Sequence, residues 1–409
     1  MTKKVLIIVE NLPVPFDTRV WKEALSLREN GYQVTVLCPK DKKHTQGYEQ
    51  LNGVHIYRHM MPREGNGVLS YILEFACALF WEMLFAWWIF FRRGFHVIQG
   101  CNPPDDIFLV ALPFKLLGVK YIFDHHDVNP ELYLSKFERK DLLYRVQVWL
   151  ERYTFASTDV VMSTNESYRE IATGRGHCKP EDVFVVRNGP DPELFRPVPP
   201  VSQLKYGKAF LVGYVGTMSV QEGLDMLIDV ADRIRKSGRS DIHFTCVGGG
   251  PGLAALRQMV KDKQLEGMVN FTGRVPDKDL IQILSTADVC VNPDRPCEMN
   301  DISTMIKIAE YMALGKPIVQ FDLKEGRFTA GEASLYCDHR SGVEDFAAKI
   351  MWLMDHPEER KQMGDFGRRR VEESLSWEFS KGNLLAAYER AFDKRRSARE
   401  KVAASPKVS

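Results

Sequence analysis

Residues 293–322 read PDRPCEMNDISTMIKIAEYMALGKPIVQFD. The spacing predicts a helix over 303–314, with Asp301, Ser303 or Thr304 as its cap and Gly315 and Pro317 as its stop, and then a strand at IVQF. Ile308 and Met312, four residues apart, form an apolar face for packing on a sheet, while Thr304, Lys307 and Glu310, spaced by three, share a polar face. A polar stripe on an otherwise packed helix is expected to line a cleft. The helix N-terminus offers unpaired N–H groups and a positive dipole end, which suit a phosphate. A carboxylate further along, at Glu310, is placed to accept hydrogen bonds from ribose hydroxyls. The same stripe also reads as a solvated face with a Lys–Glu pair, and the residues alone leave both readings open.

Working outward, the helix-then-strand pattern repeats along the chain. KVLIIVE, QVTVLCP, HVIQGC, KYIFDHH and DVVMSTN in the first half read as strands, each rich in Val and Ile and bounded by turn or polar residues. Between the first two lies DTRVWKEALSLRENG, in which Val20, Ala24 and Leu27 fall on one helical face, Asp17 or Thr18 caps the start and Gly31 ends it. FRPVPPVSQLKYGKA carries three prolines and few apolar anchors and reads as a linker. FLVGYVG, HFTCVGGG, VNFTG, DVCVNP and KPIVQFD form a second strand series. Alternation in both halves predicts an α/β chain with two parallel sheets, each covered on both faces. Their ligands are expected at the strand C-terminal ends, in a cleft between the two.

The chain has 409 residues, room for two or three domains. Lys plus Arg total 55 against 54 for Asp plus Glu, so a nucleic-acid binder that works by bulk charge is excluded and any charged partner is met by local patches. Eight cysteines are scattered with no C-x-x-C spacing, which argues against a zinc or redox site and for a reducing, cytosolic compartment. MTKKVLIIVEN reads as a first strand, its apolar run too short for a signal peptide. VGGGPG alone is weak evidence for a phosphate turn, and no G-x-G-x-x-G opens the first helix, which disfavours a nucleotide-cofactor dehydrogenase. Asp277 and Asp279 read as helix-start acids, as does Glu166, so no metal is implied.

One segment departs from this pattern. Residues 68–91, VLSYILEFACALFWEMLFAWWIFF, precede Arg92 and Arg93 and are long enough to span a bilayer. Glu74 and Glu82 interrupt the run, and acids inside a span cost about 2.5–3.5 kcal/mol each. The expectation is a helix docked on a bilayer without crossing it, with Trp81, Trp87 and Trp88 at the headgroup boundary. Plain domain core is the competing reading.

KIAEYMALGKPIV resembles the donor-site helix of glycosyltransferase family four, retaining sugar transferases of the GT-B fold. Other stretches agree in order: RVWKEALSLRENGYQVTVLCP, FDHHDVNPE, VVRNGPDPELFRP, YVGTMSVQEGLDMLI, VGGGPGLAALRQ, FTGRVPDKDLIQIL and the final-helix stretch WEFSKGNLLAAYERAF. The resemblance implies two Rossmann-like domains: an acceptor-side domain over 1–195, a linker over 196–207, a nucleotide-sugar domain over 208–375, a helix over 376–393 that crosses back to the first domain, and a basic flexible tail over 394–409. It implies transfer of a sugar from a nucleotide sugar to an acceptor hydroxyl with retention of configuration, without a metal or other cofactor. The acceptor is expected to be lipid-linked, in surface polysaccharide or glycan synthesis, with the protein peripheral on the cytoplasmic face of the cell membrane.

The resemblance places His126 at the sugar, with Asp127 orienting it or the acceptor, and Asp301 near the position of the family's first glutamate, which here is Ile302. Gly216, Thr217, Arg274, Ser303, Thr304, Lys307 and Glu310 are the expected donor contacts, and Arg19 and Asn165 the expected acceptor-side or phosphate contacts. Thr217 and Glu222 stand where the family usually carries an arginine and a lysine, and VPFDTR replaces its glycine pair after the first strand. Arg19, Lys307 and Arg274 are candidates for the missing positive charge. A transferase acting on a soluble acceptor and a non-catalytic binder of nucleotide sugars are the alternatives.

Overall fold

The computed structural model describes residues 2–60, 68–191 and 193–404, apart from the side chains of 68–72, 74 and 396–404. The chain forms two compact units, Met1–Arg187 with Ser380–Ser409, and Asn188–Phe379.

Unit one is built on strands β1 (Lys4–Val9), β2 (Gln33–Pro39), β3 (Tyr48–Leu51), β4 (Val54–His59), β5 (Val97–Cys101), β6 (Lys120–His125), β7 (Val160–Ser163) and β8 (Val183–Val185). They form one sheet in the order β3-β4-β2-β1-β5-β6-β7-β8, parallel except for β3. The helix Thr18–Glu29 is capped by Asp17, whose side chain accepts from the Val20 N–H. Val20, Ala24 and Leu27 are buried as the spacing predicts, and so are Arg19 and Glu23.

The opposite face of this sheet presents Leu6, Ile8, Ile98, Tyr121 and Phe123 to the helices Val68–Arg92, Phe108–Leu116 and Leu142–Ser157. Among the described side chains of Val68–Arg92 the buried positions are Ala78, Glu82, Ala86 and Ile89, a single stripe. Phe75–Arg92 is long and apolar enough to cross a membrane. However, β4 before this helix and β5 after it belong to the same sheet, which ties both its ends to one body. Trp87 packs on Phe114 at 4.5 Å between ring centroids, whereas Trp88 is exposed, so the tryptophan cluster is divided between core and surface. The side chain of Glu74 lies outside the described residues.

Unit two is a parallel six-stranded sheet of β9 (Phe210–Val215), β10 (Ile242–Val247), β11 (Val269–Gly273), β12 (Val289–Asn292), β13 (Ile318–Phe321) and β14 (Ser334–Cys337), in the order β11-β10-β9-β12-β13-β14. One face is covered by Leu224–Lys236, Leu253–Asp262 and Gly342–Asp355, the other by Asp277–Thr286, Ile306–Ala313 and Pro357–Arg370.

Three expectations change. The proline-rich stretch over 196–207 is fastened to unit two: the Val198 and Val201 N–H groups donate to the hydroxyls of Ser285 and Thr286 at 3.2 and 3.0 Å, and Gln282 donates to the Pro199 carbonyl. The final helix runs Trp377–Ala404, so the stretch from Lys394 expected as a flexible tail is helical to Ala404. Lys394 pairs with Asp182 at 2.6 Å and Arg395 donates to the Gly118 carbonyl, contacts that hold the basic turn in place. Residues 405–409 lie outside the described residues. The helix predicted over 303–314 begins only at Ile306. Asp301 lies inside a separate short helix, Glu298–Ile302, and Met305 occupies the cap position without a side-chain hydrogen bond.

Candidate functional site

In unit two the crossovers leave the sheet in opposite directions from the neighbours β9 and β12, the point where open parallel sheets form their ligand crevice. Two loops close on each other there. The Gly216 N–H donates to the Val247 carbonyl and the Met218 N–H to Gly249, each at 3.1 Å. Gly248 has φ of 131°, and a Cβ on it would lie 1.9 Å from the Gly216 carbonyl oxygen, so only glycine permits the approach. The Gly216 amide expected to face a phosphate is therefore committed to the neighbouring loop. Thr217, next in sequence, is exposed and accepts at its carbonyl from the Tyr214 hydroxyl at 3.1 Å.

The β12 loop is pulled in by Gly223, whose φ of 65° allows contact with the Pro293 carbonyl, 2.1 Å from where a Cβ would sit. This brings Glu222 and Asp294 together around the Lys307 ammonium, which pairs with Glu222 and lies 2.9 Å from Asp294. The Tyr214 hydroxyl also lies 2.9 Å from Glu222, so its one proton is shared between that carboxylate and the Thr217 carbonyl. Burial disfavours the Lys307 charge, but the two carboxylates outweigh it and raise the ammonium above its ordinary value. Burial opposes ionisation of Glu222, but Lys307 together with the hydrogen bonds to Tyr214 and Asp294 outweighs it and lowers the carboxyl. Asp294 is pushed up to about 7 by burial, against Lys307 and with Glu222 beside it. Lys307 is thus neutralised within unit two rather than presented as an open cation, and it leaves the solvent stripe on which the sequence placed it.

One turn along the same helix, Tyr311 accepts from the Val215 N–H at 2.9 Å and donates to the Val291 carbonyl at 3.3 Å. These bonds lock the helix over the ends of β9 and β12 and set half-buried Glu310 beside them. Ile308 and Met312 are fully buried, the apolar face the spacing predicts. Arg274, past β11, is exposed, and its Cγ lies 3.9 Å from where a Cβ on Gly249 would sit. Gly216, Thr217, Lys307 and Glu310 therefore gather at the switch point, with Arg274 at its rim. Ser303 and Thr304 lie on the segment between two helices rather than at a helix start, with Thr304 3.4 Å from Glu325. Asp301 accepts from the Lys324 N–H at 2.8 Å, so the residue expected to be catalytic is tied to the first turn of the helix Lys324–Ala330 beyond β13.

Unit one carries a second cluster at the C-terminal ends of β5 and β6. Arg19 donates to Asp124 at 2.7 Å, to the Val186 carbonyl at 2.7 Å and towards His126 Nε2 at 2.8 Å, with Glu23 at 3.2 Å. Asp124 also lies 2.6 Å from His126 Nε2 and accepts from Gln99 at 2.9 Å. The Nε2 atom sits between a donor and an acceptor, and its proton, when present, goes to Asp124. Gln99 donates to Glu23 at 2.7 Å and accepts from the Tyr388 hydroxyl of the final helix. Burial opposes ionisation of Asp124, but Arg19 and His126 overcome it and hold the carboxyl well below its usual range. Burial raises Glu23 far above the carboxylate range, with Asp124 adding to it. The cluster is thus an Arg19–Asp124 ion pair with Gln99 and a protonated Glu23 against it, and with Tyr388 holding Gln99 in place.

His126 is part of this cluster, but Asp127 is not its partner. The orienting carboxylate is Asp124, two residues back and on the same face of the strand. Asn102 fixes the backbone here, accepting from the His126 and Asp127 N–H groups at 2.5 and 3.1 Å. Burial raises Asp127. His125 points the other way, stacked on Phe123 and against Phe155 and Tyr168, and burial lowers it to about 3. Arg19 is enclosed by its partners and is not an exposed phosphate ligand. Asn165 is fully buried and caps the helix Glu166–Thr173, accepting from the Tyr168 N–H at 2.8 Å. Cys101, Asp124 and His126 are close enough to share an ion, but the Arg19 guanidinium already occupies Asp124 and His126, a poor fit for a cation.

A family model described as "Glycosyl transferase 4-like domain" matches residues 17–189, and one described as "Glycosyl transferases group 1" matches 209–356. The chain is 24% identical to alpha-maltose-1-phosphate synthase of Mycolicibacterium smegmatis over 67% of its length and 73% of the relative's. It is 27% identical to a GDP-mannose-dependent monoacylated alpha-(1-6)-phosphatidylinositol monomannoside mannosyltransferase of Corynebacterium glutamicum, over 47% of this chain and 52% of that one. Among solved structures, sucrose-phosphate synthase of Thermosynechococcus elongatus superposes with a TM-score of 0.75 at 17% identity, covering 98% of this chain and 100% of that one. HepE of Anabaena in complex with UDP-glucose superposes with a TM-score of 0.68 at 15% identity, covering 96% and 99%.

Proposed function

The chain belongs to glycosyltransferase family four and is a sugar transferase of the GT-B type, and on that premise we propose that it moves a sugar from a nucleotide sugar to a hydroxyl of a lipid-linked acceptor, with retention of configuration and without a metal. The observation that carries the donor assignment is the switch point of unit two, where backbone, Arg274 and Glu310 converge beside the Glu222–Lys307–Asp294 triad. The Anabaena neighbour binds UDP-glucose at the same fold, which supports a nucleotide-sugar donor. In this reading Glu310 accepts from the ribose hydroxyls, Arg274 and the Thr217 amide face the diphosphate, and Ser303 and Thr304 line the sugar side. Preorganised donors lower the barrier by stabilising phosphate charge as the glycosidic bond breaks.

His126 serves the transfer step, held by Asp124. The phosphatidylinositol mannoside relative supports a lipid-linked acceptor. The described cysteines are all free, which fits a cytoplasmic site of action.

A panel of UDP-, GDP- and dTDP-sugars tests the donor, because a ligand bound only by the native state raises the unfolding temperature. Transfer is then assayed by mass spectrometry on a lipid extract and on soluble sugars. Failure of every nucleotide sugar to shift unfolding overturns the reading. Binding without transfer or hydrolysis favours a non-catalytic binder, for which the neutralised Lys307 is the specific support.

A further inference from the structure

Three helices form one layer over the Leu6–Phe123 face of unit one: Val68–Arg92, Phe108–Leu116 and Leu142–Ser157. Ring contacts make them neighbours. Trp87 and Phe90 pack on Phe114 at 4.5 and 5.4 Å, and Phe108 stacks on Tyr153 at 6.4 Å. Each helix buries one side in the core and leaves an apolar stripe outside. Phe80, Leu84, Trp88 and Phe91 recur at helical spacing on the first, with Phe91 80% exposed. On the second, Leu112 and Leu116 are one turn apart, Leu116 being 90% exposed. On the third, Leu142, Val146, Trp149 and Tyr153 make the same pattern, Leu142 being 74% exposed. Large apolar side chains aligned on three adjacent helices are far from the scattered exposure of an ordinary surface.

The described exposed charges on this layer have one sign. Arg92, Arg145 and Arg152 are exposed, and the Arg92 guanidinium stands 5.4 Å over the Trp88 ring. The acids whose side chains are described on these helices are withdrawn: Glu82 is fully buried, and Glu151 is buried in an ion pair with Arg175 at 2.6 Å. Among the described side chains, the three helices expose no carboxylate. We propose that this three-helix layer docks on an anionic lipid leaflet, its apolar stripes sunk to the acyl boundary and its arginines at the phosphates. A second copy of the chain is a poorer occupant, since a two-fold contact would set arginines against arginines with no exposed acid among the described side chains to meet them. The Arg19–Asp124–His126 cluster lies towards the opposite face of the sheet, so docking leaves it uncovered. The proposal extends the single-helix docking expected from residues 68–91 and is independent of acceptor chemistry.

The full-length protein is sedimented with vesicles of phosphatidylcholine alone or with one-third phosphatidylglycerol. Binding is expected to the mixed vesicles, with release at high salt. Tryptophan emission should shift to the blue and be quenched by brominated acyl chains. Arg92→Gln, Arg145→Gln and Arg152→Gln together should lower partitioning by about 100-fold, from about 1 kcal/mol per charge. Leu116→Ser with Trp149→Ser, which leaves the first helix untouched, should lower it by about 10-fold or more.

All five positions are exposed, and circular dichroism and the unfolding temperature should be unchanged. Loss of binding only on changing residues 80–91 would overturn the three-helix layer. Absence of binding to mixed vesicles, retention after carbonate washing, or a dimer abolished by Leu116→Ser would overturn the proposal outright. A chain that binds vesicles yet glycosylates only soluble sugars would refute the lipid-linked acceptor and leave the docking layer standing.

Discussion

Asp124→Asn isolates the charge that organises the unit-one cluster. The side chain is fully buried and meets Arg19 at 2.7 Å, His126 at 2.6 Å and Gln99 at 2.9 Å. Removing one member of a buried ion pair typically costs about 3–5 kcal/mol, because the other charge is left without a counterion. Here Glu23 stands 3.2 Å from Arg19 and is held protonated by burial, with the Asp124 charge adding to it. With Asp124 neutral, Glu23 ionises and takes over part of the role, which reduces the expected loss to about 2–3 kcal/mol.

Asp124→Asn with Glu23→Gln removes both acids and should cost about 2 kcal/mol more than the sum of the single changes. The assay is guanidinium unfolding with hydrogen exchange read separately in β5 and β6, because two units need not unfold together. The sign with pH follows from the depressed carboxyl. Its contribution is complete above the unfolded value of about 4 and is lost as pH falls below it. A loss below about 1 kcal/mol for the single change, or strict additivity of the pair, would refute the account of Glu23 as a reserve counterion.

Glu310→Gln should weaken nucleotide binding by about 1.5–3 kcal/mol in calorimetry; unchanged affinity in a folded variant removes Glu310 from the ribose. His126→Ala should lower kcat while leaving nucleotide affinity nearly intact, and a variant as active as wild type excludes it from the transfer step. Lys307→Met leaves Glu222 and Asp294 facing each other without a cation. It should destabilise unit two by about 3–5 kcal/mol at neutral pH, and by less below pH 7 as the acids take up protons; a deficit that does not shrink on acidification would show that the two carboxylates do not share the lysine.

The strands read from Val and Ile runs are present, because a buried parallel strand must be apolar on both sides. The missed strands lack that signal. Tyr48–Leu51 is a polar edge strand and Val183–Val185 has three residues. Val54–His59 carries His55, Arg58 and His59 among its apolar residues, and Ser334–Cys337 is four residues at an edge of the unit-two sheet. The helix start near residue 303 was misplaced because Asp301, Ser303 and Thr304 are all good caps, whereas the chain turns once more before Met305.

In the unit-one cluster, Arg19 and Asp124 are 105 residues apart and meet only when β1, β5 and β6 line up, which no local pattern encodes. One clue was available. Alternation along FDHHD puts Asp124 and His126 on one side and His125 on the other, which favours Asp124 over Asp127 as the partner.

The final helix has a consequence for synthesis on the ribosome. Gln99 receives the Tyr388 hydroxyl from 289 residues downstream, and Asp182 waits for Arg390 and Lys394. Unit one is therefore translated first but completed last. At about 5–20 residues per second, about 15–60 s pass between the emergence of β5 and that of Tyr388, long enough for unit two to fold in the interval. Throughout that wait the flank of the first sheet that will hold the final helix is open to water and to chaperones, with Gln99, Glu23 and Asp124 beneath it.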